Sequence, residues 1–213
     1  MEVIRSKNAG ACYGVQRALD LALKASEGDG SAFTLGPLIH NPQVVANLEA
    51  RGVLAVKEPE QATHGAIIIR SHGVPRSVYD KISTRSLAYH DATCPFVAKI
   101  HKIAMKADKN GALLLVAGDA DHPEVQGIVG HTTGKVEVFA NLAELEKLLP
   151  ELTQQKSIFA VAQTTFNVQS WETCKEFLKN QCTNAKKSDT ICNAKMARKQ
   201  EAEARRDKCD KEV

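Results

Sequence analysis

Short apolar runs and amphipathic helical stripes alternate along almost the whole chain. That alternation restricts it to a parallel α/β architecture. Ala66–Ile69, Leu113–Ala117, Val136–Phe139 and Ile158–Ala162 are continuous runs rich in Val, Ile and Leu, the pattern of strands buried on both faces. Between them lie helical patterns. Val15, Ala18, Leu19, Ala22 and Leu23 fall on one helical stripe. Asn41-Pro42 pairs a capping residue with a first-turn proline and predicts a helix over Gln43–Arg51 that stops at Gly52. Phe96, Ile100, Ile103 and Ala107 mark another helix, closed by Asn110-Gly111. Leu142, Leu145, Leu148 and Leu149 mark one more, ended by Pro150. Strand, helix, strand, helix implies parallel sheets with right-handed crossovers.

Three cysteines punctuate this alternation. Cys12, Cys94 and Cys192 each follow a short apolar run and precede a helix-opening segment, and they lie 82 and 98 residues apart. No local metal loop joins them. The spacing predicts three similar lobes that direct one thiolate apiece at a shared centre. The first lobe falls at 13–94 and the second at 95–189. Residues 1–12, with a short strand at Val3–Arg5, and residues 190–213 begin a third, incomplete lobe. Three thiolates can hold an iron–sulfur cluster and leave one iron open to substrate. A zinc site is the competing reading, but zinc motifs usually pair cysteines closely, and none of the six forms C-x-x-C.

Composition narrows the rest. No apolar run approaches the ~20 residues of a membrane helix, and Met1–Arg5 lacks the plan of a signal peptide. The cytoplasm is the expected compartment, where cysteines serve metal or redox chemistry rather than a disulfide framework. The net charge of +3 resides entirely in residues 184–213, with nine Lys/Arg against six Asp/Glu. With only 5% aromatic residues there is no basic-aromatic surface for nucleic acid.

In parallel sheets ligands gather at the carboxyl ends of strands, so the polar residues there carry the functional signal. Leu35–Pro42 delivers His40 at a helix start, and Ile69–Val74 delivers His72. Gly118–Glu124 delivers His122 and Glu124, and Ala162–Thr165 delivers Thr164. Imidazoles beside helix N-termini suit phosphate. His64, His90, His101 and His131 lack such placement and read as ordinary residues. Cys174, Cys182 and Cys209 read as free thiols. Segment 195–213 is helix-compatible but nearly devoid of large apolar residues after Met196.

Taken together, these stretches resemble the 4-hydroxy-3-methylbut-2-enyl diphosphate reductases of the non-mevalonate isoprenoid pathway. The resemblance rests on Ala9–Val15, Gly36–Gln43, Ser71–Val74, Asp91–Pro95, His122–Val125, Gln163–Thr165 and Cys192–Ala194, in that order, over residues 1–194. It implies three α/β lobes around a [4Fe-4S] cluster held by Cys12, Cys94 and Cys192. It further implies that His40, His72 and His122 contact a diphosphate. Glu124 and Thr164 would serve the substrate hydroxyl and its proton, with His122 beside them. The implied reaction is reductive dehydroxylation, fed by a ferredoxin- or flavodoxin-type donor, since no flavin or nicotinamide motif is present. Two departures stand out. Lys195–Gln200 differs from the family's usual Thr and Arg-Gln continuation. The family also continues further, to complete the third lobe and supply a Ser-x-Asn motif and a later serine. The alternatives are an inactive remnant that binds only metal or diphosphate, and a zinc-bound structural protein.

Overall fold

A computed structural model describes residue 6 and residues 9–27, 31–85 and 87–206. They build two four-stranded parallel sheets on one plan. Helix α1 (Tyr13–Ala25) leads into the first sheet, made of β1 (Ala32–Leu35), β2 (Val53–Val56), β3 (Ala66–Ile69) and β4 (Ala88–Asp91). Helix α2 (Pro42–Glu49) joins β1 to β2, and α3 (Arg76–Ser83) joins β3 to β4. Helix α4 (Pro95–Lys109) then leads into β5 (Leu113–Ala117), β6 (Val136–Phe139), β7 (Ile158–Ala162) and β8 (Ala185–Lys187). Their connections hold α5 (Pro123–Val129), α6 (Leu142–Lys147), α7 (Leu149–Leu152) and α8 (Val168–Gln181), and α9 (Ala194–Arg206) follows β8.

The strand orders are β2-β1-β3-β4 and β6-β5-β7-β8, the same order repeated, with every pairing parallel. In each sheet the connections diverge between the two central strands, β1 and β3 or β5 and β7. Such a switch point opens a crevice at the carboxyl ends of the strands.

The continuous apolar runs are explained by a core on each face. Leu113, Leu115 and Ala117 pack with Phe139, Trp171 and Leu178. Leu114 and Val116 face the other way, onto Ile100, Val125 and Ile128. In the first sheet Ile67 and Ile69 meet Val74 and Ile82, while Ile68 meets Ala18 and Leu38. Each buried Val, Leu, Ile or Phe side chain among these stabilises the fold by roughly 1.5–3 kcal/mol. The two halves meet at a close seam. Arg76 N–H donates to Gly130 O at 3.0 Å, and Gly130 lies against Pro75 with no room for a Cβ.

The four predicted strands appear with their predicted bounds. Strands β1, β2, β4 and β8 were not legible as apolar runs. Strand β4 is exposed along its whole length, and β8 has three residues. The helix after Asn41 ends at Glu49, and the chain turns through Gly52 at φ +82°. Pro150 does not end a helix. It lies in the first turn of α7, where its missing N–H costs nothing. The strand expected at Val3–Arg5 lies outside the described residues, as do Cys209 and the end of the tail. Within the tail, α9 forms as expected; Met196 is 38% exposed.

Candidate active site

The repeated plan places the predicted residues at corresponding points. His40 follows β1, one residue before the Asn41 cap of α2, and His122 follows β5 and is itself the N-cap of α5. His72 follows β3, and Thr164 follows β7. Cys94 follows β4 and Cys192 follows β8. The end of the ladder is repeated too. Cys94 N–H donates to Ser71 O at 2.9 Å, and Cys192 N–H donates to Thr164 O at 2.8 Å. Both switch points therefore open on a common region.

There the three imidazoles come together. Ring centroids are 4.4 Å apart for His40–His72 and 6.0 Å for both His40–His122 and His72–His122. Burial, with the charges of His40, Arg70 and His122, pushes His72 down to about 4. Its ring is therefore neutral near pH 7, and its Nδ1 is buried with no partner. A buried polar atom without a partner marks a place where a ligand or water belongs. His122 Nδ1 accepts from Glu124 N–H at 3.1 Å, which leaves Nε2 as the protonated nitrogen of the neutral ring.

Glu124 is 2% exposed. Its carboxyl accepts Thr164 N–H at 2.6 Å and Thr164 Oγ1–H at 2.7 Å. Burial raises its pKa, while the two Thr164 donors and His122 oppose the rise. Opposed influences of this kind produce a carboxyl able to hold or release a proton. The hydroxyl that binds it can pass that proton onward.

Cys12 and Cys94 occupy the N-caps of α1 and α4, and neither side chain caps its helix. The thiol of Cys94 is pushed up by burial. Backbone N–H groups of Phe96 and Val97 act the other way, and the charges of Cys192 and Cys12 add to the rise. Cys12 and Cys192 are thus both within electrostatic reach of Cys94, and Cys12 and Cys94 stand at the positive ends of helices. Gly14 is what admits the Cys94 sulfur, since a Cβ there would sit 2.5 Å from it. Arg198 on α9 donates to Gly10 O at 2.7 Å and so ties the helix after Cys192 to the approach to Cys12. Among the described residues, no three His, Cys, Asp or Glu side chains converge on a single ion, which gives the zinc reading no support. A cluster asks for less convergence, because each thiolate binds its own iron. A set of three thiols with no carboxylate among them fits that demand.

His101 and His131, read from the sequence as ordinary residues, and Thr190, which had no reading there, take a place beside the site. His101 is 4% exposed and stacks on His131, centroids 3.9 Å apart and planes 17° apart. His131 Nδ1 meets Gly127 O at 2.8 Å, and His101 fills the space beside the Gly73 turn. The pair therefore backs the loop of His72 and the helix of Glu124. Its signal in the sequence was a histidine on the apolar stripe of α4, between Ile100 and Ala104. Thr190 is 3% exposed. Its Oγ1 accepts Ala162 N–H at 2.9 Å and donates to Ala162 O at 2.6 Å. A side chain thus replaces a rung of the ladder two residues before Cys192.

Comparison with known proteins bears on the whole chain. The family model described as LytB protein matches residues 3–213. The chain belongs to the LytB family. The 4-hydroxy-3-methylbut-2-enyl diphosphate reductase of Geobacter sulfurreducens is 42% identical over 208 residues, covering 96% of this chain and 71% of that protein. The like-named protein of Geotalea uraniireducens is 43% identical over 205 residues, covering 95% and 70%. A solved structure of (E)-4-hydroxy-3-methyl-but-2-enyl diphosphate reductase superposes with a TM-score of 0.83 at 33% identity, covering 98% of this chain and 74% of that one. The Plasmodium falciparum reductase structure gives 0.81 at 26% identity, covering 94% and 64%. The α/β fold of this LytB chain is that of its solved relatives.

Proposed function

We propose that this chain reduces 4-hydroxy-3-methylbut-2-enyl diphosphate to isopentenyl and dimethylallyl diphosphate. Its curated relatives are named for that reduction. The observation that carries the reading is the buried Glu124–Thr164 pair, held beside three converging imidazoles. It is an acid next to an anion site, which a dehydroxylation of a diphosphate ester requires.

In this reading His40, His72 and His122 hold the diphosphate, with the neutral ring of His72 acting as a hydrogen-bond partner rather than a charge. Cys12, Cys94 and Cys192 would hold a [4Fe-4S] cluster, which when bound would pass two electrons, one at a time, from the external donor and offer a Lewis-acidic iron to the allylic carbinol. Reductive loss of the hydroxyl takes two electrons and two protons, one proton leaving with the hydroxyl as water and the other ending on an allylic carbon. Thr164 Oγ1 orients the substrate hydroxyl and relays a proton from Glu124, which burial equips to carry one. His122, whose Nδ1 is anchored on Glu124 N–H, lies between the diphosphate and acid subsites. We place the lobe limits at 13–94 and 95–189, with 1–12 and 190–213 opening the third, and infer a ferredoxin- or flavodoxin-type donor in the cytoplasm. Among the described residues no helix is long and apolar enough to cross a membrane.

Anaerobic reconstitution followed by metal analysis and electron spin resonance tests the reading. About four irons per chain are expected, retained in Cys174→Ser and Cys182→Ser and sharply reduced in Cys12→Ser, Cys94→Ser and Cys192→Ser. Zinc uptake without iron, or equal iron loss in all five variants, would overturn it.

A further inference from the structure

Arg70 is a cation that no role described above employs. It follows the last residue of β3 and is half-buried. Its Nε donates to Gly73 O over a long 3.4 Å, and its Nη1 lies against Gly36, where a Cβ would stand 2.7 Å away. Gly36 and Gly73 have φ of +71° and +75°, and together they leave a slot for the guanidinium. One wall of that slot leads through Pro37 to His40, and the other immediately follows His72. Among the described residues no carboxylate pairs with Arg70, although Lys81, Lys175 and Arg205 each have one.

Removing a guanidinium from water without a counter-charge is costly. Here it borders a cluster of imidazoles, and no acid among the described residues offsets it. We propose that Arg70 supplies the fixed positive charge of the anion subsite, and that this charge selects a diphosphate over less charged ligands. Its electrostatic reach extends to His72, whose proton affinity it lowers. Burial foremost, with His40 and Arg70 adding to it, keeps His72 neutral near pH 7, so it gives a bound anion a hydrogen bond but no charge, and Arg70 gives the charge. Guanidinium is well matched to phosphoryl oxygens, being planar, permanently charged and weakly hydrated. The competing role is a latch, in which Nε merely fastens the two loops together.

This proposal rests on the diphosphate reading, and titration calorimetry with inorganic diphosphate on the anaerobically reconstituted chain separates the two. Arg70→Met should weaken binding at least about tenfold, the scale of one charge-assisted hydrogen bond, with iron content and circular dichroism unchanged. Arg70→Lys, which keeps the charge but cannot reproduce the Nε bond, should retain most of the affinity. The wild type should prefer inorganic diphosphate to monophosphate, and Arg70→Met should narrow that preference. If Arg70→Lys binds as poorly as Arg70→Met, the side chain is a latch and the proposal falls. It also falls if Arg70→Met binds normally while His72→Ala does not. If inorganic diphosphate binding is absent from the wild type, or is untouched by His72→Ala as well, the diphosphate reading itself fails. Should Arg70→Met not fold, Arg70→Gln and the salt dependence of diphosphate binding in Arg70→Lys report the same charge.

Discussion

Thr190→Val removes one oxygen and leaves the side-chain volume almost unchanged. In the native protein that oxygen satisfies both backbone polar groups of Ala162, which is 0% exposed. Valine has nothing to offer either group. An unsatisfied buried donor or acceptor costs about 1–3 kcal/mol, so the pair should cost at least about 2 kcal/mol. At about 2–4 °C per kcal/mol for a chain of this size, thermal unfolding followed by circular dichroism should shift down by at least ~4 °C. Thr190→Ser keeps both bonds and loses one methyl, worth about 0.8 kcal/mol, so it should recover more than half of the loss. The effect should also reach the site. Cys192 N–H donates to Thr164 O only two residues further on, so the valine variant should retain less iron and show an altered electron spin resonance line shape, with serine restoring both. A valine variant that melts like wild type would refute the reasoning, because two buried backbone groups would then have lost their partner without consequence.

Gly14→Ala would normally favour a helix by about 1 kcal/mol. Here its Cβ would press on the Cys94 sulfur, so helix content should hold while iron retention drops in metal analysis. Glu124→Gln should lower turnover by roughly 10²-fold or more while leaving diphosphate affinity nearly unchanged, the signature of a lost general acid; steady-state kinetics with a chemical reductant would show it. His101 should shape acid stability. Burial and His131 hold its pKa at about 3, below the ordinary 6.5 of an unfolded chain. Between those values the unfolded state takes up a proton that the folded state refuses, so its contribution is intact above the unfolded pKa and is lost progressively as the pH falls toward the folded one. Burial lowers His131 as well, with the same sign. Urea midpoints near neutrality and near pH 5 should diverge less in His101→Phe than in wild type; equal divergence would exclude His101 as a cause.

What could be read from the sequence followed from what each residue reports alone. Leu113–Ala117 and Ile158–Ala162 announced themselves because both faces of a central strand are buried. Position in the sheet alone did not decide it: the edge strand β6 was legible as Val136–Phe139, whereas Ala-Tyr-His-Asp at β4 has a solvent-exposed pattern and only hydrogen bonding makes it a strand. The same division runs through the site. His40, His72, His122, Glu124 and Thr164 were legible because each stands at the end of a strand in a topology where such ends face ligands. The bonds that give them chemistry were not legible, because Glu124 meets Thr164 across the sheet rather than along the chain. Arg70 and Thr190 were invisible for a related reason. An arginine after a strand is ordinary until two glycines prove to be cleared around it, and a threonine is ordinary until its hydroxyl stands where a backbone amide belongs.

The seam at Pro75, Arg76 and Gly130 gives the two halves of the site different mechanical fates. Glu124 and Thr164 are both carried by the second sheet, whereas the imidazole trio spans the two, with His40 and His72 on one side and His122 on the other. In the proposed function, a shift at that seam would alter the histidines' grip on an anion while the acid pair, carried by one sheet, keeps its spacing. Substitutions at the seam should therefore tune substrate capture and release more than the proton chemistry. A bulkier residue at Gly130 should thus register first in how tightly and how long a diphosphate is held.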